Sequence, residues 1–262
     1  GFENDSSVVI MEAKNVVYPD FHIRQLYYPY RLWGRRVNKP IRLVFSIYSN
    51  QIYRLLEYEF TDLLDYSSIK LIQEKNYSLQ ETEINTQELF DIYLKTKVKY
   101  TDNQIGNDIP FIQADSFERV ISLLEILHEE NKTEEEIADI MQFQLRQSNY
   151  YFNAGRYLGL FSKTNGFDED GKRVIFIYLT KLGKLVYSLN YKQRQLKLVE
   201  LILEHKIFHE LFKFTYDNGS FPERESVKNR MREYNVCNEG QIHRRSSSVL
   251  SWIRWIFNLA NL

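Results

Sequence analysis

The stretch Val8–Trp33, VVIMEAKNVVYPDFHIRQLYYPYRLW, joins a run of β-branched and apolar residues to an amphipathic segment. Its first four residues predict a buried strand, with Glu12 and Lys14 at the end of that strand. Residues Asp20–Trp33 predict a helix with Asp20 as its N-cap. Because side chains two positions apart lie on the same face of a strand, we expect the Glu12 carboxylate and the Lys14 ammonium to converge.

The pattern of an acid, any residue and a lysine is not specific, since it occurs repeatedly in the chain. Its copies are Glu12–Lys14, Glu130–Lys132, Asp170–Lys172 and Glu204–Lys206. The second and third stand at predicted turns, and the fourth lies in a predicted helix, where residues two apart point in different directions. Only the first copy ends a strand, so only this copy predicts a shared site. The alternative is an incidental ion pair at a solvated strand end.

A carboxylate and a lysine on one strand are groups that phosphodiester cleavage uses. Mg²⁺ prefers one or two carboxylates together with waters and phosphate oxygens. The bound cation withdraws charge from the phosphate and acidifies a water, and a neighbouring lysine offsets charge in the transition state. The minimum set therefore includes a second acid, supplied by the preceding strand or turn.

The composition is that of a globular protein, with 44% hydrophobic and 26% charged residues. A net charge of −1 gives no global attraction to nucleic acid, so such affinity requires local basic patches. The single cysteine, Cys237, excludes a disulfide framework and predicts a cytoplasmic location. The apolar runs are too short to span a bilayer, so no membrane partner is expected. Because a strand begins at Val8, the sequence also predicts that a segment precedes Gly1.

Changes in the local pattern predict three domains and an α/β fold class of the α+β type. Residues 1–105 alternate strand and helix, and aromatic-rich runs on either side of Asn50 and Gln51 predict a hairpin within a mixed sheet. Residues 106–190 contain three helices and a hairpin with a polar tip, which is the order of a winged helix-turn-helix. Residues 191–262 are similar to a second helix-turn-helix with a reduced wing.

The motif VVIMEAK, followed by FHIRQLYYPYRLW, resembles the PD-(D/E)XK nuclease superfamily, in particular type II restriction endonucleases with C-terminal winged-helix segments. The resemblance covers this motif, the following helix and, more loosely, RRSSSVLSWIRWI near the C-terminus. It implies a restriction-endonuclease-like core and a Mg²⁺-dependent hydrolase that cleaves double-stranded DNA. Glu12 would be a metal ligand, Lys14 the catalytic lysine and Gln25 the glutamine that often supports the site, accompanied by Tyr28 or Tyr30. A homodimer would supply the two active sites that cutting both strands requires.

The first acid of the family's motif normally lies on the strand or turn before the (D/E)XK strand. Here Asp5, seven residues before Glu12, is the aspartate available for catalysis and metal binding, with Glu3 as a substitute. The family pattern places this acid slightly further upstream, which would put it before Gly1. Both positions remain open at this point.

Basic and amide side chains predict DNA contacts in several segments. Arginines near the Glu12–Lys14 pair would hold phosphates without reading sequence, whereas residues on a predicted recognition helix, Leu145–Leu158, can also contact base edges. A wing tip and the start of the last helix add further candidates, although the wing also carries three acids. The candidates are Arg24 and Arg31; Arg146, Gln147, Asn149, Asn153 and Arg156; Lys172 and Arg173; and Gln241, His243, Arg244 and Arg245.

Each of these groups of residues also has a structural alternative. The arginines have an ordinary alternative as surface ion pairs, and the last helix has one as an interface anchored by Trp252 and Trp255. His205 and His209 have the spacing of a helical metal pair, but the sequence offers no third ligand, which favours core or surface histidines. For the whole chain, the rivals are a DNA-binding regulator without cleavage activity and a repair or mobile-element nuclease of the same fold.

Overall fold

The structure is a computed structural model that describes residues 1–15, 23–101, 109–142 and 144–260. The chain forms two compact units, Gly1–Leu79 and Gln80–Leu262. Both contain helices and strands, so the predicted α+β class is confirmed. No helix within the described ranges is long and apolar enough to cross a membrane.

Unit 1 is a five-stranded mixed sheet with one α-helix between its second and third strands. The strands lie in the order in which they occur in the chain. Their bounds are β1 (Phe2–Glu3), β2 (Val8–Lys14), β3 (Ile41–Ser49), β4 (Ile52–Phe60) and β5 (Ile69–Tyr77), and the helix is α1 (Arg24–Trp33).

The stretch that opens the chain forms a β–α–β unit. β2 pairs in parallel with β3 and in an antiparallel manner with β1. The predicted helix is observed from Arg24, while the predicted N-cap Asp20 lies outside the described residues. Leu26 and Tyr27 are its buried residues, and they join the core of unit 1. This packing places α1 on the face of β2 that carries Val8 and Ile10.

The predicted hairpin is confirmed. β3 and β4 are antiparallel partners, and the two residues between them, Asn50 and Gln51, have φ values of 54° and 61°. Two consecutive left-handed residues match the right-handed twist of the flanking strands, as in a type I′ turn. β5 extends the sheet as a solvent-exposed edge strand.

Unit 2 consists mainly of helices, with one small antiparallel sheet. Its helices are α2 (Thr86–Lys95), α3 (Phe117–Glu129), α4 (Glu134–Met141), α5 (Leu145–Tyr157), α6 (Lys181–Ser188), α7 (Tyr191–Leu203), α8 (Lys206–Asn218), α9 (Arg224–Glu233) and α10 (Glu239–Asn258). Its strands are β6 (Lys132–Thr133), β7 (Phe161–Phe167) and β8 (Arg173–Leu179), in the order β6-β8-β7.

The segment from α3 to β8 has the element order expected of a winged helix-turn-helix. α4 and α5 pack against each other, α5 packs against α3, and the β7–β8 hairpin follows. The Thr133–Glu136 capping box predicted for α4 is present, with the Thr133 hydroxyl accepting from the Glu136 amide at 3.3 Å. At the end of α5, Gly155 lets the helix approach β7 closely, because a Cβ at this position would lie 1.9 Å from the Phe161 ring.

The boundary between the units lies before the predicted one. The structure divides the chain after Leu79, whereas the sequence pattern placed the first domain at residues 1–105. The difference concerns α2, which packs against α7 and α8 of unit 2. An amphipathic helix shows in its sequence that it has a buried face, but not which core this face joins. The split predicted near residue 190 is likewise not seen, since α6 packs against both α3 and α7.

Candidate functional site

The predicted carboxylate–lysine pair lies on one face of an extended strand. The Lys14 Nζ is 2.9 Å from the Glu12 Oε1, and the two side chains are 24% and 28% exposed. The register pairs Glu12 with Phe45 and Lys14 with Ile47, so both head groups project from the face that carries the buried core. The predicted strand and the shared face are therefore confirmed.

The start of α1 follows this strand end after residues that the structure does not describe. In a parallel β–α–β unit the helix runs back along the sheet, so its first turn lies toward the end of β2 that carries Glu12 and Lys14. Gln25 is half-buried in this turn and Arg24 is exposed. Arg31 lies in the last turn, with its guanidinium 5.5 Å from the centre of the Tyr27 ring. The two predicted arginines of α1 are thus at opposite ends of the helix.

The two aromatic candidates on α1 differ in their surroundings. Tyr30 stacks on Phe60, with ring centres 5.4 Å apart, and belongs to the packing of the sheet face. Tyr28 is 63% exposed. Of the two, Tyr28 is the one that is free to meet a ligand.

The structure does not bring Asp5 to Glu12. Asp5 is in the exposed turn between β1 and β2, where the Asn4 side chain accepts hydrogen bonds from the Ser6 and Ser7 amides. Since β2 begins at Val8, four further residues of strand, or about 13 Å, separate that turn from Glu12. The assignment of Asp5 as a catalytic acid and metal ligand beside Glu12 therefore disagrees with this geometry.

Glu3 is no better placed than Asp5. It pairs with Val8 at the beginning of β2, and its carboxylate accepts from the Lys39 ammonium at 2.7 Å. The register of the two strands shows where an acid would need to be. Phe2 lies opposite Val9, and the two strands are antiparallel. A residue one position earlier in β1 therefore lies opposite a residue one position later in β2. By this register, the position opposite Glu12 is two residues before Gly1.

The side chains at this strand end suit a cation that is held jointly by the protein and a substrate, rather than a cation that is coordinated by protein groups alone. Within the described parts of the chain, no group of three or more His, Cys, Asp or Glu side chains is placed to hold a metal ion. Glu12 supplies one carboxylate, which lies within the one or two that Mg²⁺ uses alongside waters and phosphate oxygens. The site as described would therefore depend on a substrate phosphate for further ligands.

The exposed face of α5 carries the predicted DNA-contacting residues of the winged segment. Arg146, Gln147 and Asn149 are exposed, and Asn153 and Arg156 are half-buried. The Asn153 amide donates to the Asn149 side-chain oxygen at 2.8 Å, which aligns these two amides one turn apart. The sequence of α5 contains two arginines and no acid, so its outer face carries positive charge.

One of the three acids of the wing, Asp168, has a structural role. The Asp168 carboxylate accepts from the backbone amides of Asp170 and Lys172, at 3.1 and 2.8 Å, and so closes the turn at the tip. Gly171, with φ of 76°, supplies the left-handed residue that this turn needs. Lys172 and Arg173 are exposed beside it, as predicted.

At the start of α10 the predicted set divides. Gln241, His243 and Arg244 are exposed, but Arg245 is buried, with 7% of its surface exposed. Arg245 therefore does not lie on the open face of this helix, and its contact with DNA stays a prediction. The physical reason is periodicity, because Arg245 precedes Val249 by one helical turn and lies on the stripe that α10 buries.

The apolar face of α10 belongs to the core of unit 2. Trp252 is completely buried, and its indole N–H donates to the Ala114 carbonyl at 2.9 Å. Its ring meets Phe117 edge-on, with centres 4.8 Å apart. Trp252 is thus a buried anchor, as the domain-interface alternative predicted, and it packs on residues of the predicted segment 106–190 within the same unit.

The two segments predicted to contact DNA meet at Tyr150, although α5 and α10 are far apart in sequence. The guanidinium carbons of Arg146 and Arg244 lie 5.8 and 5.3 Å from the centre of the Tyr150 ring. With its amide oxygen turned toward them, Gln113 accepts from the Tyr150 hydroxyl at 3.1 Å and from an Arg244 nitrogen at 3.0 Å. The sequence predicted neither Gln113 nor Tyr150 as a site residue, because their importance depends on this long-range contact.

The histidine pair at the start of α8 is part of the packing. His205 is sandwiched between the Tyr100 and Tyr157 rings, with centre distances of 4.5 and 3.8 Å. Burial lowers the pKa of His205 to about 3, so it is neutral. His209 packs on Tyr93 at 4.2 Å. The core alternative describes both residues.

Comparisons with known proteins identify two segments of the chain. A family model described as "Domain of unknown function (DUF6997)" matches residues 1–78, which is almost all of unit 1. A second model, described as "Domain of unknown function (DUF7226)", matches residues 119–261 within unit 2. No curated protein and no solved structure matches the chain. Because the second model covers more than half of its length, the chain belongs to the DUF7226 family.

Proposed function

We propose that the chain is a metal-dependent endonuclease that cleaves phosphodiester bonds of double-stranded DNA, as its resemblance to type II restriction endonucleases implies. Unit 1 would cut and unit 2 would bind the duplex. The observation that supports this proposal is the Glu12–Lys14 pair, held 2.9 Å apart on one face at the end of β2. The pair is partly open to solvent, so a phosphate can reach both head groups.

The roles proposed for unit 1 follow from the chemistry of the two groups. Glu12 would hold Mg²⁺, which when bound supplies a Lewis acid and lowers the pKa of a coordinated water. Lys14 has three donors and a positive charge, so it would orient the attacking water and stabilise negative charge on the phosphate. Gln25 in the first turn of α1 would support the site from above the sheet.

The roles proposed for unit 2 separate positioning from base reading. Arg146 and Arg156 on α5, and Lys172 and Arg173 at the wing, would contact phosphates. Gln147, Asn149 and Asn153 present amides, which can pair with the edge of adenine in the major groove. Gln241, His243 and Arg244 at the start of α10 would extend this surface.

A substrate and metal panel tests the proposal. Supercoiled plasmid, linear duplex, single-stranded and branched DNA are incubated with the protein, with Mg²⁺ or with EDTA. Cleavage of duplex DNA at defined positions, only with Mg²⁺, is the expected result. Preference for branched or single-stranded DNA would favour a repair or mobile-element nuclease instead.

The second candidate function is a DNA-binding regulator or specificity module without cleavage. It is favoured by one observation, which is that the described residues contain no group of three or more His, Cys, Asp or Glu side chains that could hold a metal ion. If the chain continued upstream at the register of β1, the residue two positions before Gly1 would lie opposite Glu12. Adding two residues before Gly1, with an aspartate at that position or an asparagine as the control, therefore discriminates the two candidates, since only the nuclease gains activity from an acid there.

A further inference from the structure

Two arginines of unit 2 lie over the phenol ring of Tyr150, and a third interacts electrostatically with the same phenol. Arg146 and Arg244 lie over the Tyr150 ring, and Arg245 follows Arg244 at the start of α10. No carboxylate forms an ion pair with any of the three within the part of the chain that the structure describes. We call these arginines, together with Tyr150 and Gln113, the arginine cluster.

Among the residues that the structure describes, the arginines of the cluster lack acidic partners, whereas three basic residues on the neighbouring helix α9 have them. There, Arg230 is paired with Glu210, and Arg232 with Glu239 at 2.8 Å. Lys228 is paired with Glu225 at 2.9 Å. The chain thus pairs three of the α9 cations with its own carboxylates, while Arg224 donates to the Ser246 hydroxyl and the His243 carbonyl. The arginines at the α5–α10 contact have no such carboxylate in the described ranges.

The surroundings of Arg245 are the strongest evidence that the arginine cluster binds an anion. Its side chain is buried, with 7% exposed, and its Nε has no hydrogen-bond partner. Burying a charged group without a partner is costly, and the cost is recovered when an anion binds. Burial and the neighbouring Arg244 both lower the pKa of Arg245, against the opposing influence of Cys237 and Tyr150.

Tyr150 shows the same local excess of positive charge. Burial alone would raise the pKa of its phenol, but the Gln113 hydrogen bond and the charges of Arg146 and Arg244 lower it overall. The Gln113 oxygen accepts from both the Tyr150 hydroxyl and the Arg244 guanidinium, so it fixes the position of these two groups relative to each other. The polar atoms around Tyr150 therefore belong to one site.

We propose that the arginine cluster is a phosphate-binding pocket that takes one backbone phosphodiester of duplex DNA. Guanidinium groups bind phosphate oxygens in a bidentate manner, and several of them around one point can share the two non-bridging oxygens of a phosphodiester. The pocket adjoins the exposed face of α5, so a phosphate held there would fix the register of that helix on the duplex. The choice of duplex rests on the proposed function, but the phosphate chemistry does not.

Thermal unfolding tests the pocket without requiring DNA. Sodium phosphate should raise the melting temperature of the wild type more than sodium chloride of equal ionic strength does. Arg245→Met removes the uncompensated charge, so this variant should melt at a higher temperature than the wild type in phosphate-free buffer and should lose the response to phosphate. Arg232→Met, which removes a cation already paired with Glu239, should keep that response.

Binding of a duplex oligonucleotide tests the source of the phosphate. Arg245→Met and Arg244→Gln should each weaken binding about tenfold or more on every sequence, and lower the salt dependence by about one counterion, as loss of a phosphate contact does. A phosphate response with unchanged duplex affinity would overturn the DNA assignment and identify a pocket for a free phosphate. Lack of a specific phosphate response together with unchanged duplex affinity would overturn the pocket. If the wild type binds no duplex at all, the proposed function fails, while the melting experiment still decides on the phosphate site.

Discussion

The Glu12 carboxylate and the Lys14 ammonium form a 2.9 Å ion pair on the face of β2 that also carries the core of unit 1. Their common direction is a consequence of the strand, because the same two residue types on a helix would diverge. The pair stands beyond the buried residues Val8 and Ile10, where the sheet face becomes partly open. A buried strand thereby ends in two charged groups that can act on one ligand.

The first prediction concerns DNA binding by α5. Arg146→Ala should weaken duplex binding about tenfold, since it removes a cation from the exposed face of the helix and from the surroundings of Tyr150. Arg254→Ala is a control with the same change of charge, because Arg254 is on α10 above Phe221. Titration of a fluorescent duplex at several salt concentrations measures both. Equal effects of the two substitutions would mean that only net charge matters.

The second prediction concerns sequence reading. Asn149→Ala should cost about 1–3 kcal/mol on the preferred sequence and less on others, because an amide that reads a base edge contributes to discrimination. Asn218→Ala, in an exposed position at the end of α8, should change neither quantity. Competition between a selected and a random duplex provides the measurement. A loss that is equal on both duplexes would assign Asn149 to the backbone.

The third prediction concerns the packing of α5 against β7. Gly155→Ala should lower the free energy of unfolding by about 1–3 kcal/mol, since the new Cβ would overlap the Phe161 ring and force the helix away from β7. Gly240→Ala should be neutral or slightly stabilising, because nothing lies within 4 Å of a Cβ there and alanine favours the helix. Chemical denaturation of both variants checks the difference. A Gly155 variant as stable as the wild type would contradict the close packing of α5 on β7.

The fourth prediction concerns acid stability. The pKa of His205 is about 3 in the folded chain and about 6.5 when unfolded, so the unfolded state takes up the proton first as the pH falls. This histidine therefore imposes no penalty above pH 6.5 and costs about 2 kcal/mol at pH 5. His205→Phe should flatten the fall of stability between pH 6.5 and 4, whereas His243→Gln, at an exposed site, should not. Denaturation at a series of pH values decides, and parallel pH profiles for the wild type and His205→Phe would contradict the neutral sandwich.

The sequence was most informative where structure depends on neighbouring residues. The β3–β4 hairpin follows from Asn50, which readily takes a positive φ, between two aromatic-rich runs, and the start of α4 follows from the Thr133–Glu136 capping box. β2 and α1 follow from a change of hydrophobic period within one stretch. The strand end with Glu12 and Lys14 could be predicted for the same reason.

What the sequence could not provide depends on contacts between distant segments. The docking of α2 on α7 and α8, and the meeting of Arg244 with Tyr150, have no local signal. The burial of Arg245 did have one, because this residue shares a helical stripe with Val249 and Trp252. The prediction gave more weight to the positive charge of Arg245 than to this helical pattern, and so placed the residue on the exposed face. The position of Asp5 needed the register of β1 on β2, which local propensity does not fix.

The most direct measurement for the central claim compares cleavage with binding in variants of the Glu12–Lys14 pair. In a protein that cleaves duplex DNA with Mg²⁺, we expect Glu12→Gln and Lys14→Met each to lower the cleavage rate about 100-fold or more, while duplex affinity stays within about threefold. Glu130→Gln changes the same tripeptide pattern outside the strand and should leave the rate unchanged. Cleavage that survives in both the Glu12 and the Lys14 variants would contradict the account.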